Sequence, residues 1–342
     1  MTSCSAASCI RVILCRHASM ARSVILAALC IANPFLVPHA TAELLSGRPI
    51  TIVIPFTPGA SADTLQRILA RKVSADTGQV LVVESRPGGG GAIGAAVVKQ
   101  ASPDGHTLFQ ANSATHAANV SLYATLAYDP VKDFRPITLM WTFPQVLAIP
   151  LDSPAKSVAD LVALAKSKPG GLSFASQGSG ASGHLLGEML KVRTGANMVH
   201  VPYRGAGPAG LDLAAGRVDF FFVSYSSILP FLQAGKVRAL AVTSPEPLPA
   251  LPQVPTMRHA GFDGMELDAW FGLVAPAGTP DAVIDKLNSA FVAAIAQPDV
   301  VRQIMEQGAR PQASTPREFA AFMASETERI GRIVRAVGAK GE

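Results

Sequence analysis

Twice along this chain a short β-branched apolar run ends in a glycine-rich turn, passes into a helical pattern and repeats the sequence once more. In the first half the turns read PFTPGASAD (55–63) and ESRPGGGGAIG (84–94). In the second half they read ASQGSGASG (175–183) and VPYRGAGPAG (201–210). Strand patterns fall at 50–55, 80–84, 107–110, 172–175, 198–201, 218–223 and 237–242. Helical patterns follow, among them 63–77, 181–194 and 283–296. A strand–helix–strand rhythm implies crossover connections and a mostly parallel sheet covered on both faces. The unbroken apolar character of the runs fits buried parallel strands. The expectation is an α/β protein of two Rossmann-like lobes with parallel-rich sheets around a central cleft. In such sheets ligands bind beyond the carboxyl ends of the strands, where all four turns lie.

The 342 residues, 49% hydrophobic and 15% charged, suffice for two lobes of ordinary size. The first lobe is read as 43–145 with 270–342, the second as 146–269, with joins near 141–148 and 267–271. The C-terminal helices are expected to return onto the first lobe. Residues 1–42 read as a leader: Arg22 precedes the apolar run 24–32, and Ala40-Thr41-Ala42 supplies the small residues of a signal-peptidase site. Met20 is read as the start, with cleavage after Ala42. The apolar run is shorter than the roughly 20 residues needed to span a bilayer. All four cysteines (Cys4, Cys9, Cys15, Cys30) lie in this leader, so the remainder can form no disulfide, thiolate nucleophile or cysteine-based metal site. Arg11, Arg16 and Arg22 account for more than half of the formal charge of +5. No basic run follows them, which leaves nothing for nucleic acid or anionic lipid to hold.

Three turns match G-x-G-x-x-G: Gly89/Gly91/Gly94, Gly178/Gly180/Gly183 and Gly205/Gly207/Gly210. A dinucleotide site needs an acid at the end of the next strand to hold the ribose. The chain offers Gln110-Ala111-Asn112 after the first and Pro202-Tyr203-Arg204 after the second. What the turns share is a chemistry suited to anion capture, because glycine admits a ligand to the backbone and a helix's first N–H groups point at it; the alternative is that the glycines only close tight turns. Catalytic patterns are thin. Around Ser182 the sequence is GASGH, not a nucleophile elbow, and the histidines His106, His116, His184, His200 and His259 show no metal-ligand spacing. His184 suits either a ligand contact or a cap on its turn. Asp63 reads as a helix cap and Asp219 as the end of a turn. Arg204 is open between a carboxylate fork and a surface charge. Trp141 and Trp270 could wall the cleft or fill the joins.

At PFTPGASAD, ESRPGGGGAIG, SPDGHTL, YDPVKDF, ASQGSGASGHL, HVPYRGAGPA, AGKVRALAVTS and WFGLVAPAGTP the chain resembles the periplasmic solute-binding proteins of the tripartite tricarboxylate transporter family, also called the Bug family. The resemblance runs from about Pro49 to the C-terminus. It implies a periplasmic receptor, not an enzyme, that captures a small carboxylate with backbone amides, hydroxyls and bridging waters. Carried onto this chain, Phe56, Thr57 and Ser61 come from the first turn, Gly90 and Gly91 from the second, and Ser113 follows the next strand. Ser176, Gln177, Ser179 and Tyr203 would line the other lobe. The partner it implies is a tripartite-type membrane permease or a sensor protein; it implies no cofactor. The other reading of the glycine turns is a NAD(P)-dependent oxidoreductase. Three departures stand out: Ala60 where the family has a second Gly, Ala181-Ser182 where Ser comes one place earlier, and Val223 where an acid is common. The first reduces left-handed freedom in the turn, and the last takes an acid from the cleft wall.

Overall fold

The computed structural model describes residues 44, 45 and 47–340. The expected leader and its cleavage site lie outside the described residues. The chain opens with β1 (Ile50–Ile54), α1 (Ser61–Thr77), β2 (Leu81–Ser85), a 3₁₀ turn (Gly89–Gly91), α2 (Ala92–Lys99) and β3 (Thr107–Asn112). Strand β1 is parallel to both β2 and β3, as helix-linked strands must be. A π-helical turn (Ala114–Ala118) and α3 (Asn119–Leu122) follow. Then β4 (Phe134–Phe143) passes through one residue, Pro144, into β5 (Gln145–Pro150) of a second sheet.

That second sheet grows by the same winding through α4 (Val158–Ser167), β6 (Leu172–Ser176), α5 (Ser182–Thr194), β7 (Met198–Pro202) and α6 (Ala206–Ala214). It is completed by β8 (Phe220–Ser224), α7 (Tyr225–Gln233) and β9 (Val237–Val242). The chain returns to the first sheet as β10 (Ala269–Pro276), then α8 (Asp281–Ile295), α9 (Pro298–Glu306), β11 (Arg310–Pro311) and α10 (Pro316–Val337). The strand orders are β11-β4-β10-β3-β1-β2 and β7-β6-β8-β5-β9.

Both sheets are therefore mixed. The wound parts are parallel, as the rhythm predicts, but β4, β10 and β11 extend the first sheet antiparallel and β5 and β9 extend the second. Strand β4 escapes a pattern reading because Pro136 interrupts it. With no N–H to give, Pro136 sits opposite Val274 beside a register shift. Strand β8, parallel to β6 and antiparallel to β5 at the centre of the second sheet, shows the opposite signature: all five residues, FFFVS, are buried.

The two tryptophans resolve as core. Trp141 is fully buried beside Phe271, and Trp270 packs edge-on against Phe319 and Phe322 of α10 at 5.9 and 5.5 Å. Helix α10 starts with a reciprocal capping box between Thr315 and Glu318. It lies on the first lobe, where Thr327 Oγ1 donates to the His116 carbonyl at 2.9 Å, and it also touches α5.

Candidate functional site

Because each wound strand ends at a turn that opens a helix, one cleft collects helix starts from both lobes. Its deeper chamber has about 620 Å³ of space, part of it open to solvent. The walls are the starts of α1 (Ser61), α5 (Ser182), α6 (Ala206) and α7 (Ser224, Ser227), with Asn112 and Ser113 at the end of β3. Its floor is the strand crossings: Phe143 and Gln145 flanking Pro144, and Ala269 and Phe271 at the start of β10. Phe271 meets Phe143 and Phe56 edge-on, so much of this floor is aromatic. An outer chamber of about 920 Å³ is walled by the 87–91 turn, Ser179, Tyr203 and Arg204. Five residues, Phe56, Asn112, Ala114, Gln177 and Ala181, line both chambers and form the neck between them.

The helix starts in this cleft are unsatisfied. The residues before α1, α5, α6 and α7 are Ala60, Ala181, Gly205 and Ser224, and none gives a side-chain cap. Away from the cleft the picture is mixed: Ser157 caps α4 and Thr315 caps α10, while α8 and α9 also start without a side-chain cap. An uncapped first turn leaves several N–H groups without an intrahelical partner and a partial positive charge of about half a unit. Four such ends converge here, and no acidic side chain lines either chamber. Arg204 is the only charged residue among the described residues that line them. Its guanidinium is exposed and makes no ion pair or hydrogen bond among the described residues.

Serine hydroxyls tie the lobes together across this cleft. Ser61 Oγ lies 3.2 Å from Ser224 Oγ and 2.8 Å from Ser227 Oγ, and it accepts from Ser226 Oγ at 2.6 Å. Ser113 and Ser182 meet at 3.4 Å. The first turn is braced from below: Asp63 accepts from the Gly59 amide at 2.9 Å and pairs with Arg67. Only Gly59 there has positive φ (+86°); Ala60 is extended at φ −70°, ψ 155°. The Ala60 departure thus removes no freedom that the turn uses, which corrects the expectation. The 88–91 segment needs glycine more strictly, since a Cβ on Gly91 would lie 2.5 Å from Thr115 Cγ2 and 3.0 Å from Pro55 Cβ.

The expected site residues distribute unevenly. Phe56, Ser61, Ser113 and Gln177 line the deeper chamber; Phe56, Gly90, Gly91, Gln177, Ser179 and Tyr203 line the outer one. Thr57 lines neither; its hydroxyl sits 3.5 Å from the Arg204 carbonyl, where the lobes meet. Ser176 also lines neither. Its hydroxyl is saturated by the Gly178 amide, the Gly178 carbonyl and His200 Nε2 at 2.6 Å. Tyr203 turns its hydroxyl away, to Asp212 at 2.6 Å; burial first, then that carboxylate, pushes its pKa up to about 12. Asp219 accepts from the Ser173 amide at 2.7 Å, a structural role. Val223 is buried in the second core, so it is not on the cleft wall as expected; the neighbouring Ser224 faces the cavity.

His184 resolves as a cap, its Nδ1 accepting from the Gly180 amide at 3.1 Å. It stacks on His200 with ring centroids 3.9 Å apart. Burial pushes both down, His184 to about 4 and His200 to about 3, with Lys191 adding to the effect, so both rings are neutral at physiological pH. Sequence reasoning missed Asn112 as a site residue, along with Phe143, Gln145, Ala269, Ser227 and Phe271. Most of these belong to the antiparallel crossings, and nothing in their local pattern marks them as cavity floor.

Known proteins place the chain in a family. The family model described as the tripartite tricarboxylate transporter family receptor matches residues 65–339. Among curated relatives, a protein from the tcbD-tcbE intergenic region of a Pseudomonas sp. is 42% identical over 85% of this chain and 87% of its own. Protein BugT of Bordetella pertussis is 34% identical over 94% and 99%. Among solved structures, an R. palustris protein with adipate superposes with a TM-score of 0.84 at 34% identity, covering 87% of this chain and 99% of that one. The periplasmic binding protein BugD gives 0.80 at 32%, covering 86% and 99%, and MatC from Rhodopseudomonas palustris with bound malate gives 0.78 at 32%, covering 85% and 100%. With its two mixed α/β lobes, its cleft of open helix starts and these relatives, the chain belongs to the tripartite tricarboxylate transporter receptor family, a family of periplasmic solute receptors and not of enzymes.

Proposed function

We propose that this chain is a periplasmic receptor that binds a small carboxylate between its lobes and delivers it to a membrane permease of the tripartite tricarboxylate type. The carrying observation is the cleft wall: four uncapped helix starts and a row of hydroxyls, with no acid among the lining residues. A carboxylate satisfies those N–H groups, while a ligand ammonium would find no counter-charge. The Phe56, Phe143 and Phe271 floor suits an apolar or aromatic body behind the carboxylate. Di- and tricarboxylates and aromatic carboxylates are the candidate ligands. Two relatives were solved with dicarboxylates, adipate and malate. Phe56, Ser61, Gly90, Gly91, Ser113, Gln177 and Ser179 are the residues we assign to the ligand, with Ser182, Ser224 and Ser227 added.

The test is thermal unfolding of residues 43–342 against carboxylates, amino acids and NADPH. Ligand at 1,000 times its dissociation constant adds about 4 kcal/mol, which moves the midpoint by on the order of 5–15 °C. A shift with carboxylates and none with NADPH is expected. A shift with NADPH alone would return the glycine turns to nucleotide binding and sink this reading.

A further inference from the structure

The two lobes expose aliphatic side chains at equivalent places. Strand β2 runs beside β1 at one edge of the first sheet, and β7 runs beside β6 at one edge of the second. Val82 and Val199 are each the second residue of their edge strand, opposite Thr51 of β1 and Ser173 of β6. The helices that follow repeat the match: Val97 is the sixth residue of α2 and Leu211 the sixth of α6. These four residues are between 44% and 60% exposed. In each lobe, strand and helix residue lie on one side of the sheet. Leu81 and Val83 pack into the core with Leu65 of α1, which leaves Val82 on the opposite face, where α2 packs on Val53. Val201 packs with Leu213 of α6, and Val199, two residues earlier, shares its face. Ile93, one turn before Val97, is also exposed and reaches the wall of the outer chamber. The turns that leave β2 and β7 both wall that chamber, so the two apolar faces flank it.

Scattered exposed aliphatics need no explanation, but the same positions left bare in both lobes beside one opening do. We propose that these paired faces are where the receptor docks on its membrane permease, a partner apolar at two points, with one lobe at each. The inference rests on the transport reading and gives its partner a surface. A stable dimer of this chain would need roughly 20–30 residues a side, and a few aliphatic side chains divided between two lobes fall short of that. A receptor that must leave its permease after each delivery needs a contact of this smaller kind. The division has a consequence. Each lobe carries one contact, so their spacing changes if the lobes swing apart at the strand crossings. A permease that engages both at once binds the closed receptor better than the open one, without touching the solute.

The experiment introduces Val97→Lys, Leu211→Lys and the double variant into the bacterium that makes this receptor. It measures uptake of the labelled carboxylate that gives the purified receptor its largest unfolding shift. Val192→Lys is the control, since Val192 is exposed on α5, which packs on the opposite face of the second sheet. Each single variant should keep the unfolding midpoint and the solute affinity, yet lower the uptake rate about fivefold or more, and the double variant should lower it further. The control should transport like the parent. Undiminished uptake in the double variant would overturn the inference while leaving receptor-dependent transport, and so the transport reading, intact. An equal loss in the control, or a loss of uptake matched by a loss of solute affinity, would also overturn it. A parent that sediments as a dimer and a Leu211→Lys variant that sediments as a monomer would assign the faces to a second copy and overturn it too. Uptake that survives deletion of the receptor, or a receptor that binds no carboxylate, would instead remove the reading itself and the inference with it.

Discussion

Gly59 and Gly91 both sit at positive φ in turns that face the cleft, yet their surroundings differ. Nothing lies within 4 Å of a Cβ built on Gly59, whereas one on Gly91 strikes Thr115 and Pro55. Gly59→Ala should cost only the left-handed backbone preference, about 1 kcal/mol. Gly91→Ala adds overpacking and should cost about 2–4 kcal/mol, with the outer chamber deformed. Urea unfolding of the two variants checks the difference; equal losses would mean that the 88–91 turn relaxes freely. At this scale the sequence is informative about glycine, because a left-handed turn leaves a composition signature. It is silent about Ser176 and Tyr203, whose hydroxyls are spent on His200 and Asp212, because those partners come from other strands and helices.

The four open helix starts act together, and their identity can be separated from their stability role. Ser227 occupies the third position of α7, half-buried on the deeper chamber. Ser227→Asp places a carboxylate where a helix start favours one, so the unfolding midpoint should hold or rise slightly. Carboxylate affinity should fall by about 100-fold, because the site's positive potential is already used. Undiminished binding would show that the anion is held elsewhere. The control is Thr315→Ala, which breaks the capping box of α10 far from the chambers; it should cost about 1 kcal/mol and leave affinity alone. The wound elements were legible because their central strands β1, β3, β6 and β8 are largely buried apolar runs and their helices periodic. The antiparallel β4, β5 and β10 were not. Pro136 breaks the first pattern, Pro144 masks the crossing, and β10 follows a long irregular stretch. The floor of the site was therefore invisible, while the first-turn walls were readable from their glycines.

Across the whole molecule, three buried histidines make stability depend on pH. Burial holds His116 near 3, as it does His200, with His184 near 4, all below the ordinary value of 6.5. The unfolded chain therefore binds these protons first. Stability should fall as pH drops from about 6.5 towards 4 and level off below the folded values. His116 sits among Phe109, Tyr128 and Phe134, its Nε2 without a partner among the described residues. His116→Phe keeps the ring packing and removes one of the three protons. Its loss of stability between pH 6.5 and 4.5 should be smaller than that of the parent protein, as denaturation midpoints at each pH would read. The strand crossings have a further consequence. Phe143, Gln145, Ala269 and Phe271 are at once the floor of the cleft and the places where the backbone passes from one sheet to the other. A substitution that reshapes the floor for another solute also alters the joint, so taste and residence time cannot be tuned there one without the other. The helix starts share this duty through their side chains rather than the backbone: Ser224 and Ser227 meet Ser61, and Ser182 meets Ser113, across the same gap, so exchanging any of them changes both the wall and the hydroxyl contacts that span it.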